Sequence, residues 1–88
     1  MSYNGYANYQ TWNVCLWISN DEGFYSLAKE CADYNEFKYK LKNDGLTLDH
    51  ATMYETPDLV SWNDSAIEMQ EMRNFWKENF SMELSLDN

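Results

Sequence analysis

The stretch Thr11-Trp12-Asn13-Val14-Cys15-Leu16-Trp17-Ile18 decides the fold, because its apolar residues cover nearly every side of a helix. Thr11 is the predicted N-cap of this helix. One face carries Trp12, Cys15, Leu16 and Ser19, and the remainder is largely covered by Val14, Trp17 and Ile18. A helix that is apolar all round is usually buried, so we predict that this one lies in the core.

The clearest amphipathic pattern begins after Asn20-Asp21, which breaks the first helix and offers a cap for the next one. Apolar residues then recur at spacings of three and four from Phe24 to Leu41, which predicts a helix over 21–43. This helix either runs unbroken or is interrupted near 33–35, where three poor helix formers stand together. Gly45 is the expected stop at its C-terminal end.

The second half of the chain has weaker patterns. The pattern of residues 46–62 predicts a loop that includes one turn of helix, where Thr56-Pro57-Asp58 fits a cap followed by Pro at the first helical position. Ser65 and Glu68 match a capping box, and the apolar stripe Met69–Phe80 predicts a last helix that ends near Phe80. Alternating residues in the tail are typical of a half-buried strand.

These patterns together predict a mainly α, small single-domain helical fold over residues 1–88, with three to four helices. A minor two-stranded β element is the expected addition, near Leu46–Leu48 and Met82–Leu86. We predict that residues 1–10 form an aromatic N-terminal arm, 11–80 the helical body and 81–88 the tail. Four Trp, seven Tyr and four Phe supply enough burial for one core in a chain of this length. The predicted core residues are Trp12, Leu16, Trp17, Phe24, Leu27, Cys31, Met72 and Trp76.

Negative charge is concentrated in the second half of the chain. Fifteen acidic and six basic residues give a net charge of −9, of which residues 1–43 contribute −1 and residues 44–88 contribute −8. Strong negative charge disfavours contact with phosphates and anionic lipids, so we expect no direct nucleic-acid binding. The longest uncharged stretch, residues 2–20, is interrupted by Asn and Gln too often for a membrane span.

No residue pattern indicates catalysis or a cofactor. His50 is the one histidine and stands in a weakly patterned loop, so we expect it at the surface. Cys15 and Cys31 fall on apolar helix faces, where a free thiol behaves as a small hydrophobe, and with His50 they make an irregular, incomplete zinc set. We therefore predict no metal and no enzyme activity. Widely spaced cysteines and the lack of a leader indicate a cytoplasmic compartment.

The run Asn8–Gly23, followed by Tyr25, resembles the segment N-Y-x-T-W-N-V-x-L-W-I-x-N-D-x-G. That segment occurs in an uncharacterised family of small proteins encoded by bacteriophages, notably cyanophages, and by bacteria. The resemblance implies a phage or mobile-element setting, and hence the cytoplasm of an infected or host bacterial cell. It supplies no catalytic residue.

Four carboxylates are the first candidate for partner binding. Asp64, Glu68, Glu71 and Glu78 follow steps of four, three and seven, which places them on one face of the predicted last helix, with Phe75 interrupting the row. Such a face approximates the charge of a nucleic-acid backbone and fits a basic groove. The alternative is an ordinary solvated face of an acidic protein. We expect the partner to be a host nucleic-acid enzyme with a basic surface, which the chain inhibits or modulates.

Aromatic residues near the N-terminus are the second candidate. Tyr3, Tyr6 and Tyr9 stand among Asn and Gly, which favours turns. Their rings could form an uncharged docking patch on the outside while Trp12 or Trp17 faces inward. An alternative function is therefore a structural or assembly protein that self-associates as a homo-oligomer through this aromatic surface.

Overall fold

The computed structural model describes residues 3–43 and 54–80 of the chain, and these residues form a mainly α fold. Its four helices are α1 (Tyr9–Asn20), α2 (Glu22–Lys29), α3 (Tyr34–Asn43) and α4 (Met69–Phe80). The predicted helical class is confirmed. The predicted strand pairing of 46–48 with 82–86, together with Gly45 and His50, lies outside the described residues.

Helix α1 begins earlier than the sequence predicts. Asn8 is the N-cap, and its Oδ1 accepts a hydrogen bond from the Thr11 backbone N–H at 2.9 Å. The prediction of Thr11 as N-cap is wrong, because Asn caps a helix as well as Thr does and stands in the right place to do so. The Thr11 side chain is buried, and its hydroxyl accepts from the Glu68 N–H, immediately before the last helix.

Helices α2 and α3 are separate, which decides between the two alternatives for 21–43. Asp21 caps α2 as expected, accepting from the Phe24 N–H at 3.1 Å. Ahead of α3, Asp33 accepts from the Glu36 N–H at 2.9 Å while the Glu36 carboxylate accepts from the Ala32 N–H at 2.7 Å. These reciprocal bonds resemble a capping box and fix the break between the helices.

Helix α4 begins at Met69, not at the predicted capping box. In that box the Ser65 hydroxyl would accept from the Glu68 N–H, but this N–H donates to Thr11 Oγ1 at 2.9 Å. The prediction is wrong because a tertiary contact from α1 replaces the local cap. Asp64 closes the turn before α4 by accepting from the Ala66 N–H at 2.8 Å. The helix ends at Phe80, as predicted.

The core is a cluster of rings around Phe37, which is fully buried. The Phe37 ring centroid lies 5.5 Å from that of Trp62 and 5.8 Å from that of Trp76. Two hydrogen bonds join the elements: the Tyr34 hydroxyl donates to the Trp62 carbonyl at 2.6 Å, and the Trp76 indole donates to the Cys31 carbonyl at 3.0 Å. Trp62, which the sequence analysis did not assign to the core, therefore anchors the loop before α4.

The predicted core residues divide into three groups. Trp12 and Leu16 are half-buried and lie outside the buried cluster, so their assignment to the core is wrong. The reason for Trp12 is that its ring packs on two tyrosines at the surface. The members that are buried are Phe24, Cys31, Met72 and Trp76, and those that are half-buried against the cluster are Trp17 and Leu27.

Candidate functional site

The N-terminal arm is a tight hairpin turn. Tyr3 and Tyr6 exchange two backbone hydrogen bonds of 2.6 and 2.9 Å, and both central residues have positive φ, 50° at Asn4 and 90° at Gly5. Asn-Gly is the dipeptide that this kind of turn favours, because both residues tolerate the left-handed region. The turn carries the Tyr3 ring back onto α1.

Three rings form what we call the aromatic patch: Tyr3, Tyr9 and Trp12. Their centroids lie 4.9 to 5.7 Å from one another. Tyr3 is 40% exposed and Tyr9 37% exposed. Tyr6 differs from the prediction, because it is half-buried and packs against the core. Burial is the main cause that raises the Tyr6 pKa.

Beside this patch, four side chains form what we call the polar clasp: Asn13 and Trp17 on α1, and Thr56 and Asp58 on the loop before α4. Asn13 is fully buried; its Nδ2 donates to Asp58 Oδ2 at 2.8 Å, and its Oδ1 accepts from the Thr56 hydroxyl at 2.7 Å. The Trp17 indole donates to the same Asp58 oxygen at 2.9 Å. The clasp joins residues that lie more than 40 positions apart in the sequence.

Thr56 shapes the loop that carries Asp58. Its hydroxyl accepts from the backbone N–H groups of Asp58 and Val60, both at 3.2 Å. Backbone bonds from Thr56 to Val60 and from Leu59 back to Thr56, each 2.8 Å, close the turn. The expected turn of helix after Thr56-Pro57-Asp58 is absent from this described loop, since these bonds give a hairpin instead.

Leu59 stands at the tip of this hairpin in an unusual conformation. Its φ is 69°, in the left-handed region that side chains other than Gly, Asn and Asp rarely adopt. Its side chain is 73% exposed. Backbone strain of this kind persists only where the surrounding structure imposes it, and it often marks a functional position.

The Asp58 carboxylate is exposed and ionised. Hydrogen bonds from Asn13 and then from Trp17 hold its pKa below the usual range, because both donors favour the charged form. Both bonds go to Oδ2; within 3–43 and 54–80, Oδ1 accepts no hydrogen bond, and no Lys or Arg forms an ion pair with Asp58. Two neutral donors therefore orient a negative charge without neutralising it.

The four predicted partner-binding carboxylates do not form a helical row. Asp64 and Glu68 precede α4, and Glu71 and Glu78 lie within it. The structure nevertheless brings Glu68, Glu71 and Glu78 beside residues 6–11, with Asp64 in the turn before α4, and we call these four residues the acidic seam. Glu71 Oε1 accepts from the Ala7 N–H at 2.8 Å, and the Glu68 backbone N–H donates to Thr11. Glu78 interacts electrostatically with Tyr6.

Little of the negative charge of the described residues is neutralised by ion pairs. One ion pair is present within the described ranges, between Lys40 and Glu36 at 3.9 Å, and both residues belong to α3. Residues 54–80 carry six carboxylates and two basic side chains. Within these ranges no carboxylate of the acidic seam forms an ion pair.

The two cysteines are buried, free thiols. Burial raises the pKa of Cys15 to about 12 and that of Cys31 to about 11, so both remain protonated at neutral pH. In the part of the chain that the structure describes, no three His, Cys, Asp or Glu residues are grouped closely enough to hold a metal ion. There too, no helix has the length and apolar character needed to span a membrane.

A model of a family of unknown function, DUF7249, matches residues 1–84, which include the aromatic patch, the polar clasp and the acidic seam. The chain belongs to DUF7249. Comparisons with curated proteins and with solved structures gave no match.

The polar clasp of this DUF7249 chain was not foreseen from the sequence. One signal was present: Asn13 stands in an otherwise apolar stretch of helix, and a buried amide must find hydrogen-bond partners. The partners themselves, Thr56 and Asp58, gave a different signal, since Thr-Pro-Asp is equally typical of a helix start. Leu59 gave none, because nothing in its type indicates a positive φ.

Proposed function

We propose that this chain is a phage-encoded interaction protein that acts in the cytoplasm of an infected or host bacterial cell by binding, not by catalysis. Its acidic seam contacts the basic surface of a host nucleic-acid-binding enzyme, and it inhibits or modulates that enzyme as a mimic of nucleic acid. The phage setting is supported by the resemblance of Asn8–Gly23 to the phage-type segment.

The observation that supports this function best is that the seam carboxylates have no ion pair within the described residues. Unpaired surface carboxylates attract a cationic surface over several ångströms and accelerate its association. Arg73 and Lys77 also lie on α4, but neither forms an ion pair with a seam carboxylate within the described residues.

The seam is also partly fixed in position. Glu71 is held by the Ala7 N–H, and Asp64 by the Ala66 N–H, so neither side chain needs to be ordered on binding. Fixed charges lose less conformational entropy in a complex than freely rotating ones. The arrangement is less regular than the four-residue helical row that the sequence suggested, so the mimicry depends on the placement of Glu68, Glu71 and Glu78 beside residues 6–11.

A matched pair of double variants tests the proposal. Glu68→Gln/Glu78→Gln removes two exposed seam charges, and Glu22→Gln/Glu30→Gln removes two exposed charges from α2 and its C-terminal end. Each immobilised chain is exposed to bacterial lysate at about 50 and about 300 mM NaCl, and duplex DNA is then added as a competitor.

We expect the wild type and the Glu22/Glu30 variant to retain a nucleic-acid-binding enzyme that DNA displaces and that higher salt releases. The Glu68/Glu78 variant should retain much less of it. Equal retention by the two variants, or binding that is indifferent to salt, would contradict the proposal.

Self-association is a second candidate, and the exposure of Tyr3 and Tyr9 in the aromatic patch favours it. A stable interface between two copies, however, buries roughly 800 Å² on each partner, more than three partly buried rings supply. Sedimentation velocity at increasing protein concentration distinguishes the two functions. A dimer that Tyr9→Leu disrupts would favour assembly, and a monomer throughout would exclude it.

A further inference from the structure

Asp58 presents a charged oxygen that the described part of the chain leaves without a partner. Its Oδ2 accepts from Asn13 and Trp17, and its Oδ1 accepts from neither. Both donors are neutral, so they position the carboxylate and favour its ionised form while the full negative charge remains. An oriented, unneutralised carboxylate at the surface suits a cationic ligand.

This carboxylate is preorganised by groups that are themselves fixed. Asn13 is fully buried and held from its other end by the Thr56 hydroxyl. Thr56 in turn bonds the backbone N–H of Asp58 at 3.2 Å, so side chain and backbone of Asp58 are both restrained. Binding of a ligand here therefore costs little conformational entropy of the protein, because these side chains are already ordered.

The aromatic patch reaches this carboxylate through Tyr9. Asn13 Nδ2 lies 3.4 Å from the Tyr9 hydroxyl and 2.8 Å from Asp58 Oδ2, so the ring edge and the carboxylate are neighbours. The Tyr9 ring continues into Tyr3 and Trp12 at centroid distances of 5.4 and 5.7 Å. Faces of tyrosine and tryptophan rings attract cations, and more strongly when water is partly excluded.

We propose that Asp58 and the aromatic patch form a docking site for an arginine side chain on a protein partner. The planar guanidinium donates hydrogen bonds to a carboxylate and stacks on a ring at the same time, which the compact ammonium of lysine does not do. Leu59, 73% exposed and next to Asp58, offers an apolar contact for a residue flanking the arginine.

This site is separate from the acidic seam. Thr11 contacts Glu68 of the seam, whereas Asn13, two residues later on α1, contacts Asp58. At about 100° per residue, two positions on a helix differ by about 200°, so these contacts lie on opposite sides of α1. The proposal therefore does not depend on the seam.

Titration of the chain with short peptides, followed by ¹H–¹⁵N NMR, tests the site. The probe is acetyl-Leu-Arg-Leu-amide, and the matched peptides carry Lys or Gln in the central position. The indole N–H of Trp17 is the local reporter, because it donates to Asp58. The chain has four tryptophans, and the spectrum of Trp17→Phe identifies this signal.

Two variants and one control accompany the titration. Asp58→Asn removes the charge but keeps an oxygen that accepts from Asn13 and Trp17, and Tyr9→Leu removes a ring of the patch. Asp64→Asn makes the same chemical change within the acidic seam. Dispersed amide spectra show that each variant is folded before its affinity is compared.

We expect the Arg peptide to shift the Trp17 signal saturably and to bind several-fold more tightly than the Lys peptide. Asp58→Asn should weaken this binding about tenfold or more, as loss of a charge-assisted hydrogen bond does. Tyr9→Leu should weaken it as well, and Asp64→Asn should leave it unchanged.

Three results would overturn the proposal. The first is an equal response to the Gln peptide or no saturable shift, and the second is undiminished binding by Asp58→Asn. The third is that the chain dimerises without any peptide, that dimerisation shifts the Trp17 indole signal, and that Arg73→Gln abolishes both the dimer and this shift. The occupant would then be a second copy, since Arg73 is the single arginine of the chain.

Discussion

Replacing Asn13 by alanine is the most direct test of the polar clasp. The substitution removes the amide that donates to Asp58 at 2.8 Å and accepts from the Thr56 hydroxyl at 2.7 Å. Asp58 is exposed, so water can replace its lost donor at little cost. Thr56 is 1% exposed, so its hydroxyl loses its acceptor in a place that water does not reach easily.

The expected loss of stability follows from these two environments. A buried polar group without a partner costs about 1 to 3 kcal/mol, and the lost packing of a fully buried side chain adds roughly 1 kcal/mol. We therefore expect Asn13→Ala to lower the free energy of unfolding by about 2 to 4 kcal/mol. For a domain of this size that corresponds to a fall in Tm of roughly 10 to 25 °C.

Urea denaturation followed by circular dichroism measures this change, with the m-value serving as a check on two-state unfolding. The matched control is Asn20→Ala, at the exposed end of the same helix, which should change stability by no more than about 0.5 kcal/mol. Thr56→Val completes a double-mutant cycle with Asn13→Ala, and the pair should couple by about 1 kcal/mol. If Asn13→Ala behaves like the Asn20 control, the clasp does not stabilise the fold and the reasoning is refuted.

Further predictions concern the titrating groups and the strained loop. Hydrogen bonds from the Asn13 amide and, second, from the Trp17 indole lower the pKa of Asp58 in the folded state. These bonds therefore stabilise the fold fully above about pH 4, the pKa of aspartate in the unfolded chain, and this stabilisation is lost as the pH falls through the lower pKa of the folded state. The stability difference between wild type and Asp58→Asn in urea should therefore narrow on acidification below about pH 4, and a constant difference would contradict this. Burial raises the pKa of Cys15 to about 12 and that of Cys31 to about 11, so both should react with a disulfide reagent at about pH 8 far more slowly than a free thiol until the chain unfolds. Absorbance of the released thiolate measures this, and rapid labelling of the native chain would disprove it. Because φ at position 59 is 69°, Leu59→Gly should be more stable than Leu59→Ala by about 1 kcal/mol in urea, and the opposite order would count against strain there.

Local signals predicted the start of α2 and the end of α4, where the partner of a backbone group is also local. Asp21 caps α2 through the N–H of Phe24, three residues away, and the apolar spacing that follows places Phe24 in the core. The end of α4 at Phe80 followed equally from the local stripe. Helix capping and amphipathic periodicity depend on neighbours within one or two turns, so a single sequence contains them.

The same rules failed where a distant residue took over a local role. The capping box at Ser65 and Glu68 did not form, because Thr11, 57 positions away, accepts from the Glu68 N–H. The predicted row of four carboxylates became the acidic seam for the same reason, since α4 begins only at Met69. A local sequence pattern indicates which hydrogen bonds a segment can form, and the tertiary structure determines which of them do form.

The candidate sites show a similar division. The sequence proposed Tyr3, Tyr6 and Tyr9 as surface rings; Tyr3 and Tyr9 are exposed, whereas Tyr6 packs against the core. It also proposed Asp64, Glu68, Glu71 and Glu78 as one acidic face of the last helix, but the structure places only Glu71 and Glu78 within α4. It did not identify Asp58, whose donors on α1 are 41 and 45 positions away.

By itself, the sequence determined the mainly helical class, the capped start of α2, the end of α4, an acidic second half and the family motif around α1. Only the tertiary structure decided that Trp12 lies at the surface, that Trp62 anchors the core and that Asn13, Thr56 and Asp58 meet. The physical reason is range: helix propensity, capping and charge act between near neighbours, whereas burial and hydrogen bonding of a side chain depend on which distant segment the packed chain places against it.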